Sequence, residues 1–115
     1  MPLNKQTNLG KINITKNAIV TLVADATLSC YGVVGICEKD GKAEAVSKKD
    51  YKKVIRVNEE KNGYEFSFNI ILALGVKVTE ILRSVQKEVK YVVEHTFDVR
   101  VAKVNIYVQD LKRVE

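Results

Sequence analysis

The sequence predicts an α+β fold: a two-layer sandwich with an about five-stranded mixed sheet and two helices packed on one face, in the order β-α-β-β-β-α-β. Three observations predict it. GVKVTEILRSVQKEVKYVVEHTF places Val78, Ile81, Leu82, Val85, Val89, Val92 and Val93 at the i, i+3, i+4, i+7 spacing that lines one side of a helix. Directly after it, DVRVAKVNIYVQD changes to period two, with Val104, Ile106 and Val108 facing one way and Lys103, Asn105, Tyr107 and Gln109 the other. Between two further apolar runs, Asn62-Gly63 is the preferred pair for a tight hairpin turn. Each helix has one apolar stripe and each regular strand one apolar face, so two layers suffice.

In chain order, residues 1–9 are polar and aperiodic and read as a flexible arm, leaving 10–115 as one domain. Lys11 to Ile14 is a short strand with Ile12 and Ile14 on one face, and Thr15 is placed to cap the next helix. From Lys16 to about Tyr31, Ile19, Leu22, Val23, Ala26 and Cys30 keep helical spacing, with Gly32 suited to the left-handed residue that ends it. VVGICEK is a short strand, Gly35 marking a bulge or a close backbone approach, and Asp40-Gly41 is a turn. KAEAVSKKDYKK has no clear period and reads as a loop with at most one helical turn.

The hairpin follows, from Val54 to Lys61 and from Tyr64 to Leu74. A type I′ turn at Asn62-Gly63 pairs Lys61 with Tyr64, Val57 with Phe68 and Ile55 with Ile70, all four apolar residues sharing a face. Glu60 opposite Glu65 is its one poor match. Gly75 then breaks the strand, and the second helix starts near Lys77. In the last strand the apolar phase slips between Val101 and Val104, which places a bulge or a strand start near Ala102 and Lys103. Strand order stays open; a parallel crossover through the second helix is expected to be right-handed.

The core predicted from this register joins Phe66, Phe68, Ile70, Leu72, Leu74, Val104, Ile106 and Val108 to Ile19, Leu22, Val23, Val78, Leu82, Val85 and Val89. The opposite face of the sheet shows Arg56, Asn58, Ser67, Asn69, Asn105 and Tyr107, with an apolar island at Ile71 and Ala73. That island is either a surface for self-association or a partner, or a face partly covered by the arm or the lysine loop. On the second helix Arg83, Lys87, Lys90 and Tyr91 face outward. Of these, Arg56, Asn58, Asn69, Ile71, Asn105 and Tyr107 on the sheet with Arg83, Lys87, Lys90 and Tyr91 on the helix form the candidate interaction surface, and Lys48, Lys49, Lys52 and Lys53 form a candidate anion-contact loop.

Composition narrows the partners. The chain has 115 residues, 46% hydrophobic and 29% charged, enough for one core of ordinary size and too apolar for disorder. Its net charge of +5 comes from 19 basic and 14 acidic residues that are interspersed, which favours solubility over attraction to nucleic acid or a membrane. MPLNKQTNLG has no apolar signal core, so a cytoplasmic location is expected, with Cys30 and Cys37 reduced. No apolar run reaches bilayer length, so any membrane association is expected to be peripheral or through a partner.

Reactive constellations do not emerge. His95 sits beside Glu94 near a helix C-terminus, where a solvent-facing histidine is favourable. Cys30, Cys37 and His95 match no zinc spacing, and no phosphate-cradling glycine loop occurs. No catalytic, metal or cofactor-binding residue is expected, and the protein is read as not an enzyme. The alternative is a nucleic-acid-binding module using the lysine loop with Tyr107, the principal aromatic on the exposed sheet face.

Several short motifs, in order, carry a family likeness: Gly10-Lys11-Ile12-Asn13-Ile14, Ala18-Ile19-Val20, Tyr31-Gly32-Val33-Val34-Gly35, a strand ending in Gly75, Val85-Gln86 with Val89, Val92-Val93-Glu94 and Val104-Asn105-Ile106-Tyr107-Val108. In these the chain resembles the alkaline shock protein and Gls general stress protein family of Gram-positive bacteria, in its short form without long charged tails. The resemblance implies a non-enzymatic interaction or scaffold protein of the cytoplasm, linked to envelope or general stress and acting through self-association or a protein partner. Among relatives the partner is membrane-anchored, or is a dihydroxyacetone or fatty-acid kinase-like protein for which a short form serves as adaptor. No catalytic residue carries over.

Overall fold

The computed structural model describes residues 3–7, 10–39 and 44–113, with 3–7 and 10–14 described by their backbone. Leu3–Thr7 (β1) and Gly10–Ile14 (β2) form an antiparallel ribbon, Leu3 opposite Ile14 and Thr7 opposite Gly10. This pairing differs from the arm expected for 1–9, because LNKQT lacks the apolar alternation that announces a strand. Asp40-Gly41 lies outside the described residues.

Thr15 caps the first helix, Lys16–Leu28 (α1), its hydroxyl accepting the Ala18 N–H at 3.1 Å. The helix ends before Tyr31 for a local reason. The hydroxyls of Thr27 and Ser29 donate back to the carbonyls of Val23 and Ala26, at 2.8 and 2.7 Å, and draw the chain off the helical path. Gly32 takes the expected positive φ in the turn that follows.

Val33–Cys37 (β3) comes next, and Ala45 crosses over its Gly35. A Cβ added at Gly35 would stand 2.4 Å from that of Ala45. Gly35→Ala is therefore expected to destabilise by about 1–3 kcal/mol, and Ala45→Gly in the same chain to restore most of it. Thermal unfolding of the single and double variants checks this, and equal losses in both would count against the contact. The lysine segment holds more helix than expected, one 3-10 turn at Lys48–Asp50 leading into Tyr51–Val54 (α2).

Arg56–Glu60 (β4), Gly63–Ala73 (β5), Val78–Phe97 (α3) and Val101–Lys112 (β6) complete the chain. β5 is the axis of a four-stranded mixed sheet. β4 lies antiparallel to its first half, β3 antiparallel to its second half, and β6 runs parallel along it. The sheet thus has four strands where about five were expected, since β2 pairs with β1 instead. The two long helices pack on one face, as the stripes predict. Ile19, Val20 and Val23 of α1 and Val85, Val89 and Val93 of α3 close over Phe66, Phe68, Ile70 and Leu72, all at most 2% exposed. Each such side chain contributes about 2 kcal/mol through burial.

The hairpin register is corrected by two residues. Glu60 faces Gly63 and Val57 faces Phe66, so the two loop residues are Lys61 and Asn62. An even shift keeps every side chain on its face. It also removes the predicted Glu60–Glu65 clash, because Glu65 now lies between Asn58 and Lys103. Ile55 stays in the core, just outside β4. Leu74, expected in the core, is 56% exposed because it lies beyond the end of β5. The bulge predicted near Ala102 is present, with Tyr64 facing Val101 and Glu65 facing Lys103; a second interrupts β6 at Gln109.

Candidate interaction surface

Alternation along three strands builds the surface. On the sheet face away from the helices, β4 presents Arg56 and Asn58, β5 presents Ser67 and Asn69, and β6 presents Tyr107. Gln109, next in the alternation of β6, is on the same side, where its amide donates to the Asn69 side-chain oxygen at 2.8 Å. These residues line a groove of about 810 Å³ together with Glu38 and Lys39 after β3 and Lys53 and Val54 of α2. The structure therefore brings together Arg56, Asn58, Asn69 and Tyr107 of the candidate surface with Lys53 of the lysine segment. Gln109, which the period of two sets on the outward side, was not among the candidates; Glu38 and Lys39 were missed, and their only signal was flanking position, since no strand period reaches across the gap between β3 and β4.

The other candidates separate from this groove. Asn105 lies beside it, donating to Glu65 at 2.7 Å and to Ser67 at 3.3 Å, which fixes the sheet face. Ile71 is corrected: it is fully buried, not part of an exposed island. Its partner across the strands is Gly35, the residue that Ala45 covers, and Val46 donates to the Ile36 carbonyl at 2.8 Å, holding the covering segment on β3. Arg83, Lys87, Lys90 and Tyr91 are exposed on α3, in the opposite layer. The Tyr91 ring lies against that of His95, centres 4.2 Å apart and planes tilted by 36°, and Lys87 and Tyr91 border a shallow depression beside Cys30. Lys48, Lys49 and Lys52 are exposed, but Tyr51, the aromatic interleaved with them, is buried in the core.

Two features had no sequence prediction. Tyr31 is 83% exposed and, with Val34 and Leu74, borders a second groove of about 910 Å³ at the end of the sheet. The edge of β6 is also partly covered by α3. Glu94 accepts the Val101 N–H at 2.8 Å and Gln86 donates to the Val104 carbonyl at 3.0 Å, groups that β5 does not use.

The ionisable groups inside the fold are held neutral. Burial pushes the Cys37 and Cys30 thiols up from 9.0, with Glu88 adding to the shift at Cys30, so both are poor nucleophiles near neutrality. Burial, then Asp25, raises the Tyr51 phenol, and burial, then Glu59, raises that of Tyr64. In each case the folded protein favours the protonated form. Stability is therefore fully present below the ordinary values and falls as pH rises through about 9 to 11. Urea unfolding across this range is expected to show the decline, and Tyr64→Phe to make it shallower; a flat profile would contradict the assignment. Among the described residues no group of three His, Cys, Asp or Glu side chains could hold a metal ion, and no helix is long and apolar enough to cross a membrane.

A two-layer α+β domain with a polar, grooved sheet face is the class of protein that these elements define. The chain belongs to the alkaline shock protein 23 family, described as having a cell envelope-related function, which it matches over residues 4–113. It is 33% identical to the uncharacterised protein YloU of Bacillus subtilis strain 168 over 97% of each chain. It is 28% identical to the uncharacterised protein Spy1614 of Streptococcus pyogenes serotype M6 over 99% of this chain and 98% of that one. Among solved structures it is similar to two variants of MamM CTD, one in a copper form, each with a TM-score of 0.51 and 11% identity over 84% of this chain and 98% of theirs. At that identity the likeness is one of fold.

Proposed function

We propose that this protein is a non-enzymatic docking protein of envelope or general stress homeostasis, acting through association on the outer face of its sheet. The observation that supports this reading is the groove itself, where Arg56 and Asn58 of β4 and Tyr107 of β6 converge with Lys53 from α2. Tyr107 is 54% exposed there, a rigid amphipathic side chain of the kind that anchors interfaces. Family membership directs the role to the cell envelope.

The test places a photoreactive phenylalanine analogue at position 107 and, for comparison, at position 83 on the opposite layer. Irradiation in the native cell is expected to give a discrete crosslinked species from position 107 and none from 83, lost when Asn58→Trp fills the groove. No product from 107, together with a monomer at every concentration in sedimentation, would count against the proposal.

A further inference from the structure

We infer that the groove takes an extended, acidic polypeptide segment, an inference that rests on the docking role proposed above and adds its partner's chemistry. Three cations, Lys39, Lys53 and Arg56, stand at the groove against one carboxylate, Glu38. Arg56 is exposed and has no carboxylate partner among the described residues. Lys53 meets Asp50 at 3.7 Å across an exposed i,i+3 pair, a contact weak enough to be exchanged for a ligand. The guanidinium fork of Arg56 matches a carboxylate in two parallel hydrogen bonds.

Spacing favours a polypeptide. Arg56 and Asn58 lie two residues apart on one strand face, about 7 Å, which is also the i to i+2 side-chain repeat of an extended chain. Across the groove, the Gln109 to Asn69 hydrogen bond and the Asn105 to Ser67 bond hold the polar floor in place before any ligand arrives. Single-stranded nucleic acid is less well served. Base stacking needs several exposed aromatic faces, the groove offers Tyr107, and Tyr51 of the lysine segment is buried.

The full chain, isotope-labelled, is titrated with a synthetic peptide of alternating glutamate and serine, its lysine-for-glutamate counterpart and an oligothymidylate. Expected are shifts confined to Arg56, Asn58, Ser67 and Tyr107 with the acidic peptide and none with the basic one. Arg56→Glu is expected to raise Kd roughly tenfold, or about 1.4 kcal/mol, whereas Arg83→Glu on the other layer leaves it within about twofold. Arg56 is exposed, so its replacement leaves the core intact. Absence of acidic-peptide binding, indifference to Arg56→Glu, or tighter binding of the oligothymidylate overturns the inference. If the crosslink from position 107 survives Arg56→Glu, docking stands and the acidic segment does not; if it never forms, docking itself falls.

Discussion

Gly63→Ala is expected to lower stability by roughly 3 kcal/mol, the combined effect of a strained backbone and a contact that cannot relax. Gly63 has φ +131°, which side chains rarely tolerate, and an added Cβ would stand 2.5 Å from the Arg100 carbonyl oxygen. That oxygen is fixed, because it accepts the Tyr64 N–H at 2.9 Å where β6 begins its pairing with β5. Asn62→Ala is the informative companion. A type I′ turn would hold Asn62 at positive φ, yet among the described non-glycine residues only Asp98 has one. Asn62→Ala should therefore change stability by no more than about 0.5 kcal/mol. Denaturant midpoints measure both, and a large loss at Asn62 with a small one at Gly63 would restore the turn that the local sequence favours.

Phe66→Ala is expected to cost about 3–5 kcal/mol, enough to leave a small domain marginal. Phe66 is fully buried and stands in a row across three strands, with Val57 on one side and Val104 on the other. Its ring also lies against that of Tyr64, with centroids 6.4 Å apart and planes at 14°. Truncation would leave a cavity beneath α1 and α3 that a sheet tied on both sides cannot collapse to fill. Phe66→Leu, which keeps most of the volume, should lose much less. Urea unfolding checks the pair, with an unchanged slope showing that the unfolded state is not the cause.

The parts legible in the sequence are those whose geometry is written locally. The stripe of Ile81, Val85, Val89 and Val93 announces α3, and the slip in apolar phase before Val104 announces the bulge at Ala102. Arg56, Asn58 and Tyr107 reach the right face because strand alternation survives a register error of two. What distant segments decide was not legible. The hairpin turn answers to the Arg100 carbonyl, which no reading of Lys61 to Tyr64 contains. Ile71 alternates with the outward residues and yet is buried, because Ala45 arrives over Gly35 from another part of the chain. Lys53 joins the groove through the placement of α2, and Gln86 and Glu94, which look like ordinary helix-surface residues, prove to bond the backbone of β6.

The central place of β5 has a consequence for the order of folding. Its pairing with β4 closes a short loop, whereas its pairing with β6 must wait until the whole of α3 lies between them, a far larger loss of chain entropy. The hairpin is thus expected to form early and β6 to dock late, with Glu94 engaging the Val101 amide only at that final step. Pulse-labelled hydrogen exchange during refolding would show the amides shared by β4 and β5 protected before those of β6; simultaneous protection would mean that the crossover forms with the hairpin. On this order, β5 spends part of each folding event with one edge unclaimed, and the speed with which α3 delivers β6 sets how long another chain has to reach it.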